Sequence, residues 1–153
     1  MKKAIIALAI VAALLLTAIP SGADYRYSKA FLATAVGVNA GVTKANGTDF
    51  TSVEVNVVNL PSQGALTVTF ARAAGTASTV DFYFEISTDG GSTWATFEGA
   101  QISIATNHAV ISATTVRSAL LVDLGGVSNI RLSKIVNGDG SNNITAANVS
   151  ISF

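Results

Sequence analysis

The residues best spaced for chemistry lie in one short stretch, ISTDGGSTW, from Ile86 to Trp94. A carboxylate two residues after a serine can accept hydrogen bonds from backbone N–H groups across a turn, as aspartate does in Asx-turns. The adjacent glycines permit the positive φ angles of a tight hairpin, and the tryptophan can give the turn an apolar floor. The stretch therefore predicts a structural turn built from five residues: Ser87, Asp89, Gly91, Thr93 and Trp94.

This spacing, Ser-x-Asp-x-Gly-x-Thr-Trp, resembles the Asp-box of sialidases, also called the BNR-type repeat. In that family the boxes recur on several propeller blades and lie away from the active site, so the resemblance implies a hairpin device. Here the box occurs once, and the chain is too short for a six-bladed propeller with four strands per blade. We expect a structural role, and the functional alternative is a contact of the turn with calcium or a glycan.

Other groups for acid–base or metal chemistry are sparse. His108 is the single histidine and the chain has no cysteine, so a metalloenzyme site or a nucleophilic triad would need unusual ligands. Asp81 and Glu85 share a strand face, but four residues at about 3.3 Å each separate them by roughly 13 Å, more than either glycosidase mechanism uses. We predict no catalytic residue and no enzyme activity. Tyr83, between these two acids, is the candidate residue for stacking on a sugar ring.

The loop NGDGSNN, from Asn137 to Asn143, holds many oxygen donors. Asp139, Ser141 and Asn143 occupy alternate positions, as in a calcium loop, although no bidentate glutamate follows. Gly-Asp-Gly is also an ordinary turn sequence. The expectation is no cofactor, with calcium at these three residues as the alternative.

The N-terminus has the three-part layout of a secretory signal peptide. Two lysines precede an apolar run of 16 residues, Ala4–Ile19, and small residues lead to a predicted cleavage site after Ala23. Sixteen helical residues span about 24 Å, short of the roughly 30 Å hydrocarbon core, which favours cleavage over a retained anchor. Residues 1–23 thus predict a secreted or cell-surface protein that touches the membrane only if this segment stays uncleaved.

After cleavage, 130 residues would remain, with seven basic and nine acidic residues and a net charge of −2. Such a surface gives no electrostatic reason to bind nucleic acid or anionic lipid. A chain of this length can bury a sizeable core without disulfides. Its low charge and its many Val and Thr residues indicate a compact β domain.

Apolar and polar residues alternate from end to end, which is typical of half-buried strands. In the clearest case Val80, Phe82, Phe84 and Ile86 share one face. The other predicted apolar faces are Val53-Val55-Val57, Leu66-Val68-Phe70, Ile102-Ile104, Ile130-Leu132 and Val149-Ile151-Phe153. Turn sequences rich in Gly, Asn and Asp separate them. Residues 50–153 therefore predict one all-β domain, an antiparallel β-sandwich or jelly roll of seven to nine strands.

Residues 24–49 form a separate N-terminal extended segment in this prediction. From Leu32 to Val42 larger apolar residues alternate with small ones, which predicts a strand. It is either the first strand of its own sandwich or a donor strand that fills an open edge on a neighbour. The segment resembles the N-terminal extensions of chaperone–usher pilins, although the pilin cysteine pair is absent. Self-association would use residues 29–45, with Leu32, Val36, Val38 and Val42 as the contacting residues.

These features predict a secreted, non-enzymatic structural or adhesive subunit of a cell-surface or virion assembly, such as a filament. Residues 80–153 are similar in style to small β domains of phage and bacterial surface proteins. The expected partners are further copies or other surface or virion proteins. One alternative is a carbohydrate- or surface-binding module with glycan partners. A further alternative is a small outer-membrane β-barrel, because the alternation that ends at Phe153 is similar to the last strand of such barrels.

Overall fold

The computed structural model describes residues 27–72, 79–105 and 115–153. The predicted signal segment 1–23 and His108 lie outside these ranges. A short 3-10 helix, Glu98–Ala100, and eleven strands occupy the described residues. The strands are β1 (Ser28–Ala30), β2 (Val36–Val38), β3 (Thr43–Ala45), β4 (Val55–Asn56), β5 (Gln63–Arg72), β6 (Thr79–Ser87), β7 (Ala95–Thr96), β8 (Ile102–Ala105), β9 (Thr115–Asp123), β10 (Asn129–Asn137) and β11 (Ile144–Ser152).

The strands form two antiparallel sheets. In sheet 1, β1 and β2 pair with the same side of β11, which is followed by β5 and then β9. In sheet 2, β3 and β4 pair with β10, which is followed by β6 and then by β7 and β8. The described residues are thus all-β and form two antiparallel sheets, which is consistent with the predicted β-sandwich. The described ranges contain no helix that is long and apolar enough to cross a membrane.

The core lies between the two sheets. On β5 the inward residues Leu66, Val68 and Phe70 are buried, which confirms the alternation read there. Phe82 on β6 meets Phe70 with the ring centres 5.9 Å apart. Val80 and Phe84 flank Phe82 on the same buried face. Each such side chain contributes about 1.5–3 kcal/mol through burial, so these two strands carry much of the stability.

A β-bulge interrupts the alternation on β10. The pairing of β10 with β6 shifts between Leu132 and Lys134, so two residues of β10 oppose one of β6. As a result Ile130, Leu132 and Ile135 are all buried, although the last two are three residues apart. Ser133 and Lys134 consequently lie side by side on the outer face of sheet 2.

The single strand expected over residues 32–42 is wrong, because within this range only Val36–Val38 forms a strand. Leu32 makes an isolated bridge to Ser52, the chain bends, and β2 pairs with β11. A turn follows in which Gly41 has a φ of 68° and donates its N–H to the carbonyl of Asp139 at 2.9 Å. That turn leads into β3 of sheet 2. The described part of the N-terminal third therefore holds three short strands, and the described residues of 50–153 hold eight, within the expected seven to nine.

Candidate functional site

The Asp-box forms the connection from β6 to β7, and Asp89 is its main acceptor. The Oδ1 atom of Asp89 accepts hydrogen bonds from the N–H of Thr93 at 2.9 Å and the hydroxyl of Ser87 at 2.7 Å. Its Oδ2 atom accepts from the hydroxyl of Thr93 at 2.7 Å. The bonds from Thr93 and Ser87 to the ionised carboxylate lower the pKa of Asp89 to about 2.

The same turn is fastened to the neighbouring connection between β9 and β10. Gly90 and Gly91 have φ angles of 74° and 93°, which only glycine adopts readily. The N–H of Gly90 donates to the hydroxyl of Ser128 at 2.9 Å, and that hydroxyl donates to the carbonyl of Ser87 at 2.9 Å. These contacts are those of a well-ordered turn, and the structural role of the box stays a prediction.

Trp94 packs against a group of charged side chains that we name the Arg131 cluster: Glu54, Glu85, Trp94 and Arg131. The guanidinium carbon of Arg131 lies 3.9 Å from the centre of the Trp94 ring. Its Nη2 and Nε atoms each lie 2.8 Å from Oε2 of Glu85, and its Nη1 atom lies 3.6 Å from Oε1 of Glu54. Two carboxylates and an aromatic face thus engage the cation, so the cluster fastens the turn to β10 and is not suited to capturing an anion.

Tyr83 also lies on the outer face of sheet 2, and its side chain is half-buried. The Nζ atom of Lys134 lies 4.3 Å from the centre of its ring. The Nε2 atom of Gln101 donates to the Tyr83 hydroxyl at 3.3 Å and to the hydroxyl of Ser103 at 2.9 Å. The predicted sugar-stacking residue is therefore surrounded by hydrogen-bonding groups, and its ring already has a cation as a neighbour.

The three residues of the calcium alternative have structural partners. Asp139 is buried, and its Oδ1 atom accepts from the N–H groups of Ser141 at 2.9 Å and Asn142 at 3.1 Å. The Oδ1 atom of Asn143 accepts from the N–H of Ala40 at 2.8 Å. Within the described residues, no group of three or more His, Cys, Asp or Glu side chains is placed to hold a metal ion. Calcium at this loop stays a prediction.

Asn137, which the sequence analysis did not single out, joins this loop to the N-terminal segment. Its buried side-chain amide donates to three backbone carbonyls, those of Val38 at 3.3 Å, Asn39 at 3.2 Å and Asn142 at 2.8 Å. Its backbone N–H donates to the carbonyl of Val42 at 3.0 Å. Residues 38–42 are therefore held firmly in their own domain. An Asn before Gly-Asp-Gly is typical of an ordinary turn, so nothing in the local sequence predicted that Asn137 would bond to the N-terminal segment.

A groove of about 410 Å³ opens at the end of the molecule where the Asp-box turn lies. Asn59 in its wall has a φ of 67°, and Val58 is about half exposed. No charged side chain lines it, so it suits a neutral partner. The lining residues are Val57, Val58, Asn59, Leu60, Pro61, Ser62, Thr88, Leu124, Gly125, Gly126, Val127 and Ser128.

The four predicted assembly residues have unequal environments. Leu32 and Val38 are buried within the chain's own core, Val36 is half-buried, and Val42 is 38% exposed. The structure does not bring them together as one apolar face. The N-terminal segment instead begins with a part that we name the arm, residues 27–32.

The arm lies along the edge of β11 and inserts one aromatic residue that the sequence analysis missed. Phe31 is fully buried, and its ring centre lies 5.6 Å from that of Phe84. Its N–H donates to the carbonyl of Val149 at 2.8 Å, and its carbonyl accepts from the N–H of Val53 at 2.6 Å. All three residues of β1 are exposed. The arm thus consists of an exposed strand that ends in a buried anchor.

The opposite edge of sheet 1 is β9. Among the described residues, β9 pairs with β5 and has no strand on its other side. Leu121 on this strand is 82% exposed, more than any other large apolar side chain in the described ranges. Sequence alternation alone did not identify this edge, because edge position depends on the order of strands in the sheet.

No known protein-family model matches the chain, and no curated protein matches it. Solved structures do resemble it. The VP2 subviral particle of infectious bursal disease virus is 10% identical, with a TM-score of 0.48 over 85% of this chain and 33% of that chain. This chain therefore spans about a third of the length of the VP2 chain that it matches.

Two carbohydrate-binding modules are also similar. The module CBM6cm-2 from Cellvibrio mixtus lichenase 5A, solved with cellotriose, is 18% identical, with a TM-score of 0.39 over 87% of this chain and 90% of that chain. The C-terminal CBM6 of LamC from Zobellia galactanivorans is 13% identical, with a TM-score of 0.32 over 84% and 99% of the two chains. Likeness at this level says nothing about a ligand or partner of this chain.

Proposed function

We propose that this protein is a secreted, non-enzymatic structural subunit that assembles with copies of itself at a cell or virion surface. In this proposal the domain is a jelly roll. When β1 with β2, β3 with β4, and β7 with β8 each count as one interrupted strand, there are eight strands, and the chain changes sheet at every connection except the one from β6 to β7–β8, as in two interleaved Greek keys. Such a domain offers rigid sheet edges for assembly.

One observation carries the proposal: the arm is an exposed strand whose anchor, Phe31, is fully buried between β11 and residue Val53. Leu32, the next residue of the arm, is also buried, whereas Ser28, Lys29 and Ala30 are all exposed. A segment held at a sheet edge by two adjacent buried residues is the kind of element that a neighbouring copy can supply.

The segment after the arm is suited to act as the hinge. Ala33, Thr34 and Ala35 are small and exposed, whereas the chain from Val38 onward is tied down by Asn137. An exchanged arm would make the same contacts in a neighbour as in its own chain, so only the hinge would change conformation. In this proposal the exchanged segment is residues 27–32 and not the predicted 29–45, and residues 36–45 stay in their own domain.

Engineered cysteines test the exchange directly, because the natural chain has none. Ala30 lies opposite Ser150 in the β1–β11 ladder. The neighbouring pair of Phe31 and Val149 is hydrogen-bonded, so Ala30 and Ser150 form a non-hydrogen-bonded pair with Cα atoms about 4.5 Å apart, within the range of a disulfide. In Ala30→Cys/Ser150→Cys we expect oxidation to produce covalent dimers on a denaturing, non-reducing gel, because two copies that exchange arms are joined only to each other.

The single variants Ala30→Cys and Ser150→Cys are the matched controls, and reduction must return every band to monomer size. Covalent oligomers from the double variant alone support arm exchange. If the double variant oxidises completely to a single-chain species, each arm stays in its own domain and the exchange is refuted.

A second candidate function is carbohydrate binding on the outer face of sheet 2. The half-buried ring of Tyr83, with Gln101 and Ser103 beside it, favours this alternative, since an aromatic ring flanked by hydrogen-bonding groups suits a sugar. A glycan array probed with the natural protein and with Tyr83→Ala tests it. Binding that is lost in the variant supports the candidate, and an array without signal counts against it.

A further inference from the structure

Among the described residues, no strand pairs with the outer edge of β9, and β9 also lacks the bulge, proline and lysine that commonly prevent strands from pairing between molecules. β9 pairs with β5 over nine successive residues without a bulge, so its edge is long and regular. Its sequence, TVRSALLVD, contains no proline and no lysine. The exposed Leu121 adds apolar surface to the edge. Natural proteins usually protect such edges with bulges, prolines or lysines, and an unprotected edge pairs readily with another strand.

The hydrogen bonds of β9 show which backbone groups remain open. The N–H of Leu124 donates to the carbonyl of Ser62 at 2.6 Å, and the β5–β9 ladder continues in the same register. Because bonding direction alternates along an antiparallel strand, the even-numbered residues of β9 bond toward β5. The backbone groups of the odd-numbered residues, among them Ala119, Leu121 and Asp123, therefore face away from the sheet.

β9 can pair with β9 of a second copy in one antiparallel register that hydrogen-bonds these backbone groups. In this register the residues that face each other are complementary. If Leu120 lies opposite Leu120 of the second copy, Ala119 lies opposite Leu121, and position 117, an arginine in the sequence, lies opposite Asp123. Twofold symmetry repeats each pair. Four pairs of odd-numbered residues would then exchange about eight backbone hydrogen bonds, with opposite charges facing each other at both ends. Moving the register by one step to either side removes the charge pairing.

We propose that β9 is a second self-association surface, which pairs with β9 of another copy about a twofold axis in this register. This inference rests on the proposed structural function and deepens it, since it names the partner of the edge opposite the arm. An arm exchanged at one edge and a β9 pair at the other give each subunit two different contacts. Contacts of this kind on opposite edges propagate as an open chain of subunits and do not close at a dimer.

Charge exchange at the edge tests the register. Asp123→Arg and Arg117→Asp each place like charges opposite each other twice, and each should weaken the β9 contact about tenfold or more, because cross-strand pairs are sensitive to charge. The double variant Arg117→Asp/Asp123→Arg restores opposite charges and should recover most of the association. Sedimentation velocity measures all three, and circular dichroism verifies the fold.

Leu121→Lys tests the edge without regard to register, because lysine at an exposed strand edge opposes pairing. Its matched control is Val58→Lys, which replaces another exposed apolar residue that is not part of β9. We expect Leu121→Lys to reduce open chains to dimers joined by arms, whereas Val58→Lys leaves the size distribution unchanged.

Cross-linking through Ala30→Cys/Ser150→Cys in the Leu121→Lys background separates the two proposals. Covalent dimers together with a sedimenting size that falls to a dimer support both. Covalent dimers together with a sedimenting size that is unchanged in Leu121→Lys and in the charge variants overturn the β9 contact and leave arm exchange standing. Absence of interchain cross-links together with association that is lost in Leu121→Lys refutes arm exchange and leaves the β9 contact.

Discussion

At Asp89 three hydrogen bonds converge on one carboxylate, and the donors all lie within four residues of it in the sequence. Such a site can be predicted from sequence because the box itself contains the residues that donate these hydrogen bonds. The Arg131 cluster is different, since Glu85 and Arg131 are far apart in the chain and meet only through the β6–β10 register. A local sequence pattern cannot predict that pairing.

The turn should make stability depend on acid pH. Hydrogen bonds lower the pKa of Asp89 from 3.8 to about 2 in the folded protein, so its ionised form stabilises the fold above about pH 4. That contribution is lost as the pH falls through the folded pKa. We expect Asp89→Asn to melt below the natural protein at pH 7, with the difference shrinking between about pH 4 and pH 2. A melting difference that stays constant across this range would contradict the role assigned to Asp89.

The two carboxylates of the Arg131 cluster should differ in their effects. Glu85 contacts Arg131 at 2.8 Å and its side chain is 26% exposed, whereas Glu54 lies 3.6 Å away and is 48% exposed. We expect Glu85→Gln to lower the free energy of unfolding by about 1 kcal/mol and Glu54→Gln by less than about 0.5 kcal/mol. Urea denaturation followed by the fluorescence of Trp94 measures both. Equal effects of the two variants would argue against the unequal pairing.

At the scale of the element, alternation predicted β5 and β6 because both strands are regular and have one buried face. It failed on β10, where the bulge places Ser133 and Lys134 on the same face. The uneven spacing of Leu132 and Ile135 was the available signal. Alternation also failed over residues 32–42, because small residues fit a strand and a turn equally well, and the bonds to Asn137 and Asp139 that decide the path are long-range.

The junction between β10 and the start of β6 offers a sharp test of this packing. A Cβ atom on Gly138 would lie 2.8 Å from the carbonyl oxygen of Thr79, whereas a Cβ atom on Gly140 would meet nothing within 4 Å. We expect Gly138→Ala to lower the free energy of unfolding by about 2 kcal/mol or more and Gly140→Ala to change it by less than about 0.5 kcal/mol. Chemical denaturation of the two variants decides this. Similar stabilities would show that β6 and β10 tolerate separation at this point.

At the scale of the whole molecule, the sandwich presents two unlike edges on sheet 1. One edge is occupied by the arm, and the other, β9, is open among the described residues. The sequence indicated an all-β domain and an N-terminal segment suited to assembly. It did not indicate which strands form the edges, since strand order is a property of the folded sheet. The proposed function depends on these edges more than on any side-chain cluster.

Self-association of residues 24–153 is the central claim, and sedimentation velocity across protein concentration tests it most directly. Between about 1 µM and about 1 mM, a range that spans weak to moderate interfaces, we predict that the weight-average mass rises well beyond a dimer. Replacement of the anchor by Phe31→Ser should lower that mass at equal concentration, provided that circular dichroism shows the sheets intact. A natural protein that remains monomeric over the whole range would contradict the account.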